Sequence, residues 1–463
     1  MIKIKHLRDL RLPVRASAYY TAAAVISKGV GLAFTPVFTR ITSTEEYGTY
    51  TLYLSVLGIS TVLVTSLASG SAIYKGYRVF RGCEDEMAAG SFGLSVLVIP
   101  IISVGVILFG GVIGLSPYLV APLALQLLCD AAIAVRCTEY RYSYTYGGLT
   151  RLTVLSAILT PLLSLLLIRA MGGSVGRIYG MLLVSVALAL PTLVRLLRVG
   201  PYSERIWRYM AKNSLPLLPL ALASAVISQG DKLILAAYMG SGALASYAVA
   251  HSIGVGLTFI TGSLGAALQP WMMRRLEGGD RDGIARTVSD VTVGLSALGV
   301  FVVALAPEAL ALLTPRAYSV ALPAIFPTTM SVLPNFILSV LAVVSIHIGK
   351  PHYASISSAV GAVTNVLANL ILIPALSYFG AGVSLFLAYA LANATCFRLL
   401  REREEVRFLY RFKLIGTFAF TSLLSAVMTL LYDNLVARLA LLTIPALLLL
   451  SVWRSAREYI GER

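Results

Sequence analysis

The sequence predicts an all-α polytopic membrane protein with about 14 transmembrane helices, and three observations predict it. Hydrophobic residues make up 58% of the 463 positions and charged residues 13%, roughly half the charged share of a soluble domain, so a water-facing coat cannot be assembled. The apolar residues come in runs of roughly 20, the length that crosses a hydrocarbon core about 30 Å thick. The runs lack dyad alternation, and an open sheet would leave backbone groups unpaired in lipid, so each run reads as a helix.

In chain order the spans are expected at 16–39, 48–72, 87–113, 117–135, 150–168, 174–194, 213–235, 241–268, 287–306, 320–347, 354–373, 379–397, 414–431 and 436–453. The first follows a basic stretch (Lys3, Lys5, Arg8, Arg11, Arg15) and is too long for a signal-peptide core, so it is expected to stay uncleaved. A formal charge of +16 would suggest nucleic acid in a soluble chain. Here the basic residues lie between apolar runs and act as topology signals, so no nucleic-acid partner is expected. With span-end residues assigned to the loops they adjoin, 30 Lys and Arg fall on the side of the N-terminus and 5 on the other, and Lys28 and Lys232 complete the 37. The positive-inside rule then puts both termini in the cytoplasm of a multi-pass cell-membrane protein.

The loops on the opposite side are short, none much longer than 307–319, which argues against a membrane glycan ligase or polymerase that must hold an acceptor there. Cys83, Cys129, Cys137 and Cys396 show no CxxC spacing, so neither a disulfide framework nor a zinc site is indicated. No nucleotide-binding loop, GxSxG elbow or HExxH occurs. A transporter driven by a gradient is expected rather than an enzyme.

An internal repeat organises the chain. Ala24-Val25-Ile26-Ser27-Lys28-Gly29 in the first span matches Ala225-Val226-Ile227-Ser228-Gln229-Gly230 in the seventh at offset 201, five of six identical. Gly48-Thr49-Tyr50 faces Ala245-Ser246-Tyr247 at offset 197, and Leu165–Ala170 faces Leu370–Ala375 at offset 205. Each match pairs spans six apart, which makes the repeat parallel, as in transporters whose halves rock about a midplane site. The expected division is an N-lobe at 1–194 with spans 1–6, a cytoplasmic linker at 195–212, a C-lobe at 213–397 with spans 7–12, and a basic loop with an appended helix pair at 398–463. Spans one and seven are expected to line a cleft. Prolines within spans, such as Pro36, Pro161 and Pro334, permit kinks.

Ser228-Gln229-Gly230-Asp231-Lys232-Leu233-Ile234-Leu235, followed by Met239-Gly240 and Ala245-Ser246-Tyr247-Ala248-Val249-Ala250, resembles the polysaccharide transporter (oligosaccharide flippase) family of the multidrug/oligosaccharidyl-lipid/polysaccharide exporter superfamily. Glu46-Tyr47-Gly48-Thr49-Tyr50 is similar to that family's start of span two. Asn369-Leu370-Ile371-Leu372-Ile373-Pro374 with Gly380-Ala381-Gly382 is similar to its turn between spans eleven and twelve, and Gly349-Lys350-Pro351 to the loop before span eleven. The resemblance implies a MATE-like fold of two six-helix lobes plus two helices, around a central cavity. It also implies that a polyprenyl-linked oligosaccharide moves from the inner to the outer leaflet. Membrane lipids are the other expected partner, and the chain is expected to work as a monomer. No cofactor is expected beyond a coupling H⁺ or Na⁺. A multidrug exporter of the same superfamily is the alternative, with twelve spans and a small-molecule cavity.

The candidate site residues are the ionisable side chains well inside the spans: Lys28, Asp130, Asp231 and Lys232, with Asp290 near the end of span nine. Each costs roughly 2.5–3.5 kcal/mol at a helix centre, so each should face protein or water. Lys28 sits too deep to snorkel; it either meets the carrier's diphosphate in a cleft or pairs with an acid on another span. Lys232 is a second substrate contact or reaches the headgroups. Asp231 and Lys232 point about 100° apart and should have separate partners. Asp231 and Asp130 are the ion-coupling candidates, with a water-bridged partnership to Arg136 as the structural option for Asp130. Tyr140, Tyr142, Tyr144 and Tyr146 form an interfacial belt or a sugar-stacking surface, while His251 and His347 lack metal-ligand partners at helical spacing.

Overall fold

The computed structural model describes residues 2–68, 71–143, 145–401 and 412–461, and among them every regular element is helical. α1 (Ile2–Ile41) carries the first expected span and α2 (Thr44–Ala68) the second, with α3 (Ser71–Val79) after it. The third is broken at Leu97 into α4 (Glu84–Val96) and α5 (Val98–Phe109). α6 (Val120–Tyr142), α7 (Tyr146–Met171) and α8 (Gly173–Val199) are spans four to six. The basic connection folds into α9 (Glu204–Ser214), which buries Ile206 and Met210 against Ile73, Tyr77 and Met87 of α3 and α4. α10 (Leu218–Gly254) and α11 (Thr258–Glu277) hold spans seven and eight, and α12 (Arg281–Ala304) holds span nine. After the short α13 (Ala306–Leu313) come α14 (Ile325–His347) as span ten and α15 (His352–Leu400) as spans eleven and twelve. α16 (Phe412–Leu430), α17 (Leu435–Leu441) and α18 (Thr443–Gly461) form the last pair.

Among the described residues, ten helical stretches are long and apolar enough to cross a membrane. Two of them, Leu218–Gly265 and His352–Leu400, each carry two expected spans. The first is interrupted at Gly240 (φ 82°, ψ 176°), a conformation nearly confined to glycine. The second turns at Ser377 (φ 51°, ψ −130°). α1 and the shorter apolar helix Gly416–Leu430 cover the two remaining expected spans.

The chain forms two compact units, Met1–Ala245 and Ser246–Arg463. In the first, α7 lies along α8 and against α1, while α6 packs on both α2 and α8. Gly172 (φ 87°) turns the chain from α7 into α8, and Cβ atoms on Gly176 or Gly180 would strike the α7 backbone at Ile168 and Ser164. Gly48 likewise lets α2 meet the backbone of Ser241, just past the Gly240 break. In the second unit α14 lies along α15, and α16 and α18 pack on α12, where Val300, Val303, Met330, Leu424 and Met428 make a shared core. Its hairpin turn at Ser377 lies 205 positions beyond Gly172, and Gly380 there abuts the Leu372 carbonyl. Large apolar side chains stay exposed along the helices, for example Ile101 and Phe109 on α5 and Leu430 on α16. Hydrocarbon is the solvent that makes such faces favourable.

Two devices fix the helix ends that shape the first unit. Ser43 and Glu46 form a capping box: Ser43 Oγ accepts from the Glu46 amide at 3.1 Å and Glu46 Oε2 from the Ser43 amide at 2.9 Å. The remaining oxygen, Glu46 Oε1, accepts from the Gly173 amide at 2.9 Å and so caps α8 as well.

Candidate functional site

Three of the four ionisable candidates lie on two helices of the first unit. Lys28 is an exposed side chain on α1 and lies within electrostatic range of Lys232 on α10. Lys232 Nζ donates back along its own helix to the Ser228 carbonyl and to Gln229 Oε1, both at 3.0 Å. These are neutral acceptors, so dipoles of its own helix solvate the Lys232 charge. Asp231 is fully buried, and its Oδ1 accepts from the Lys232 amide at 2.9 Å. The angular separation expected from helix geometry divides a buried acid from a partly exposed base. Beside them a cavity of about 460 Å³ opens between α2 and α10, lined by Gly58, Thr65, Ser224, Ser228 and Gln229. Gly58 makes room for the Gln229 side chain, which a Cβ there would touch at 3.4 Å.

Asp130 belongs to a second, open cavity of about 440 Å³, lined by α1, α2, α6, α7 and α8. Its Oδ1 accepts from Gln126 Nε2 at 2.9 Å and its Oδ2 from Thr61 Oγ1 at 3.2 Å. Gln126 Nε2 also reaches Ser185 Oγ at 2.8 Å. Among the described residues Asp130 has no ion-pair partner; Arg136 turns instead to Glu139 at 3.0 Å and lies over the Tyr140 ring. Arg177 lines the same cavity. Its guanidinium sits 4.1 Å from the centroid of Phe38, 4.7 Å from Tyr47 and 3.8 Å from Tyr50, a cation–π cage built from α1, α2 and α8.

Lys28, Lys232 and Asp231 are thus brought near one another, and Asp130 is placed in a separate cavity whose wall includes Ser27, the residue before Lys28. Sequence reasoning passed over Gln126 and Arg177. Gln126 stands four residues before Asp130, the spacing that puts two side chains on one helix face, and that signal was readable. Arg177 has the look of a span-end topology charge, and its three ring partners are distant in sequence. Of the tyrosine run, Tyr142 meets Tyr77 at 4.9 Å and Tyr74 at 6.4 Å. Tyr144 lies outside the described residues. His251 packs on Tyr247 with ring centroids 5.5 Å apart.

No family model matches the sequence, and no curated protein matches it. The fold, however, is shared with solved structures. The chain superposes on the lipid II flippase MurJ in an inward closed conformation with a TM-score of 0.71 and 14% identity, covering 95% of this chain and 99% of that one. An inward-facing MATE family multidrug resistance transporter of the MOP superfamily gives 0.60 at 14% identity, covering 88% and 95%. The MATE multidrug transporter DinF-BH gives 0.58 at 16% identity, covering 86% and 97%. The fold of this chain is the one seen in those MurJ and MATE structures.

Proposed function

We propose that this membrane transporter is a flippase that carries a polyprenyl-linked oligosaccharide from the inner to the outer leaflet by alternating access, working as a monomer with both termini in the cytoplasm of a cell membrane. The observation that carries the reading is the lysine pair: Lys28 and Lys232 bring two positive charges into mutual range at membrane depth. Two such charges repel, the Asp231 carboxylate beside Lys232 offsets part of that repulsion, and a second anion between the lysines would offset more of it. The diphosphate of a polyprenyl carrier supplies that anion. The fold supports a lipid-linked cargo, because the MurJ structure it matches over nearly its whole length is named for lipid II flipping. Binding and release then need a second input, and Asp231 or Asp130 takes up a coupling H⁺ or Na⁺.

The test is transfer of a fluorescent polyprenyl diphosphate oligosaccharide across liposomes holding the purified chain. Wild type should transfer it, Lys28→Ala and Lys232→Ala should reduce the rate at least tenfold, and Lys28→Arg should keep part of it. Full transfer by both alanine variants would sink the lysine site. One observation favours a second reading, a multidrug exporter of the same fold: the carboxylate of Asp130 faces a cavity without a basic partner among the described residues. Proton-coupled export of a lipophilic cationic dye, lost in Asp130→Asn, would decide for it.

A further inference from the structure

Two residues that line the cavity between α1, α2, α6, α7 and α8 each carry a buried polar atom without a hydrogen-bond partner among the described residues: Arg177 Nη1 and Gln126 Oε1. One is a donor and the other an acceptor. The amide of Gln126 cannot be reversed to cure this, because its Nε2 already faces an Asp130 carboxylate oxygen and Ser185 Oγ, and reversal would set oxygen against carboxylate. The rings of Phe38, Tyr47 and Tyr50 cover the faces of the Arg177 guanidinium but satisfy none of its N–H groups. Buried groups in this state are the exception in folded proteins, and each asks for a partner.

We propose that this cavity is a binding site for one acidic sugar unit. Its carboxylate accepts from Arg177 Nη1, a hydroxyl donates to Gln126 Oε1, and further hydroxyls meet Ser156 and Thr160 on the α7 wall. Charge selects the class. Asp130 in the same cavity repels any anion, and a diphosphate, with its greater charge, more than a single carboxylate, which the one arginine can match while the hydroxyls bond the acceptors. Size agrees: about 440 Å³ falls in the roughly 300–1,000 Å³ range of small-molecule sites, too small for a whole oligosaccharide. The source of such a unit rests on the flippase reading, as an acidic residue of the transported glycan.

The test uses the purified full-length chain and sodium glucuronate, against glucose and sodium chloride at matched ionic strength. Glucuronate should raise the melting temperature by about 2 °C or more and glucose should not. Arg177→Gln should weaken glucuronate binding at least tenfold. Because that variant loses its aromatic cage and could fail to fold, a second measurement stands apart from it. Ser156→Cys, made in a Cys83→Ser background, should be alkylated at least about threefold more slowly with glucuronate present and at an unchanged rate with glucose. No slowing by glucuronate, equal slowing by glucose, or protection by a lipophilic cation alone each overturns the acidic-sugar site. Glucuronate protection without transfer of any lipid-linked oligosaccharide removes the flippase reading and leaves the site. Transfer without protection removes the site alone.

Discussion

A lysine held in hydrocarbon costs roughly 2.5–3.5 kcal/mol on insertion scales, so Lys28 and the pair it forms with Lys232 must be compensated. If the compensation came from Asp231, Lys28→Ala would strand a buried carboxylate, and Lys28→Ala with Asp231→Ala would recover much of the lost stability. On the anion-site reading the single Lys28→Ala protein melts within about 1 kcal/mol of wild type while its transfer rate collapses, and a thermal melt of the three variants separates the two. A different residue pair contributes to stability against acid. Glu308, in α13 outside the spans, accepts from Arg438 Nη1 at 2.9 Å and Nη2 at 2.6 Å, and Arg438 is 3% exposed. That bond holds the Glu308 carboxyl below its ordinary range. An acid so depressed adds stability that is complete above its unfolded value, about 4.3, and lost as pH falls through the folded value. Glu308 is 45% exposed, so water screens the pair, and Glu308→Gln should cost about 0.5–1 kcal/mol at pH 7 and flatten the fall in melting temperature below about pH 4; equally steep melts would exclude the pair as a cause. At this scale the sequence exposed Lys28, Asp130, Asp231 and Lys232 because a charge stands out in an apolar run. Arg177 and Gln126 were hidden, since a span-end arginine is ordinary and an amide carries no charge.

The helical hairpins show what the sequence could and could not convey about elements. All fourteen expected spans map onto helices, because hydropathy and length suffice for that. The turns within α10 and α15 were placed by Gly240 and by the short stretch after Pro374, but their abruptness is a backbone property that composition does not express. Gly240 and Gly172 occupy nearly the same conformation, one that non-glycine residues enter at a cost of order 1–3 kcal/mol. Gly240→Ala should destabilise the purified protein by about that amount. Ser377, by contrast, is a non-glycine residue at positive φ. Ser377→Gly should raise stability, because relief of strain of about 1–3 kcal/mol outweighs the roughly 0.4–1 kcal/mol that glycine's added freedom in the unfolded chain costs; a fall in melting temperature would show that the serine hydroxyl matters more than the strain. A helix break stands at Gly172 and again at Ser377, at the offset of Leu165–Ala170 and Leu370–Ala375, with different backbone angles at the two positions. The short α9 escaped the span count because its apolar face, with Ile206 and Met210, is only three turns long.

For the whole molecule, the distribution of basic residues makes one firm forecast about orientation. A cysteine placed at Ser203 in the connection between spans six and seven should resist an impermeant thiol reagent in intact cells and react after permeabilisation. Labelling from outside would invert the topology and with it the direction of transfer. The carboxylate of Glu46 has a consequence that can be followed in time rather than in activity. It begins two helices at once, bonding the Ser43 amide with one oxygen and the Gly173 amide, 127 residues away, with the other. Fraying of α2 and fraying of α8 are then a single event, and deuterium should enter both amides at one rate. A Glu46→Ala change would speed both together, so that damage to the first loop is read as loosening at the sixth span.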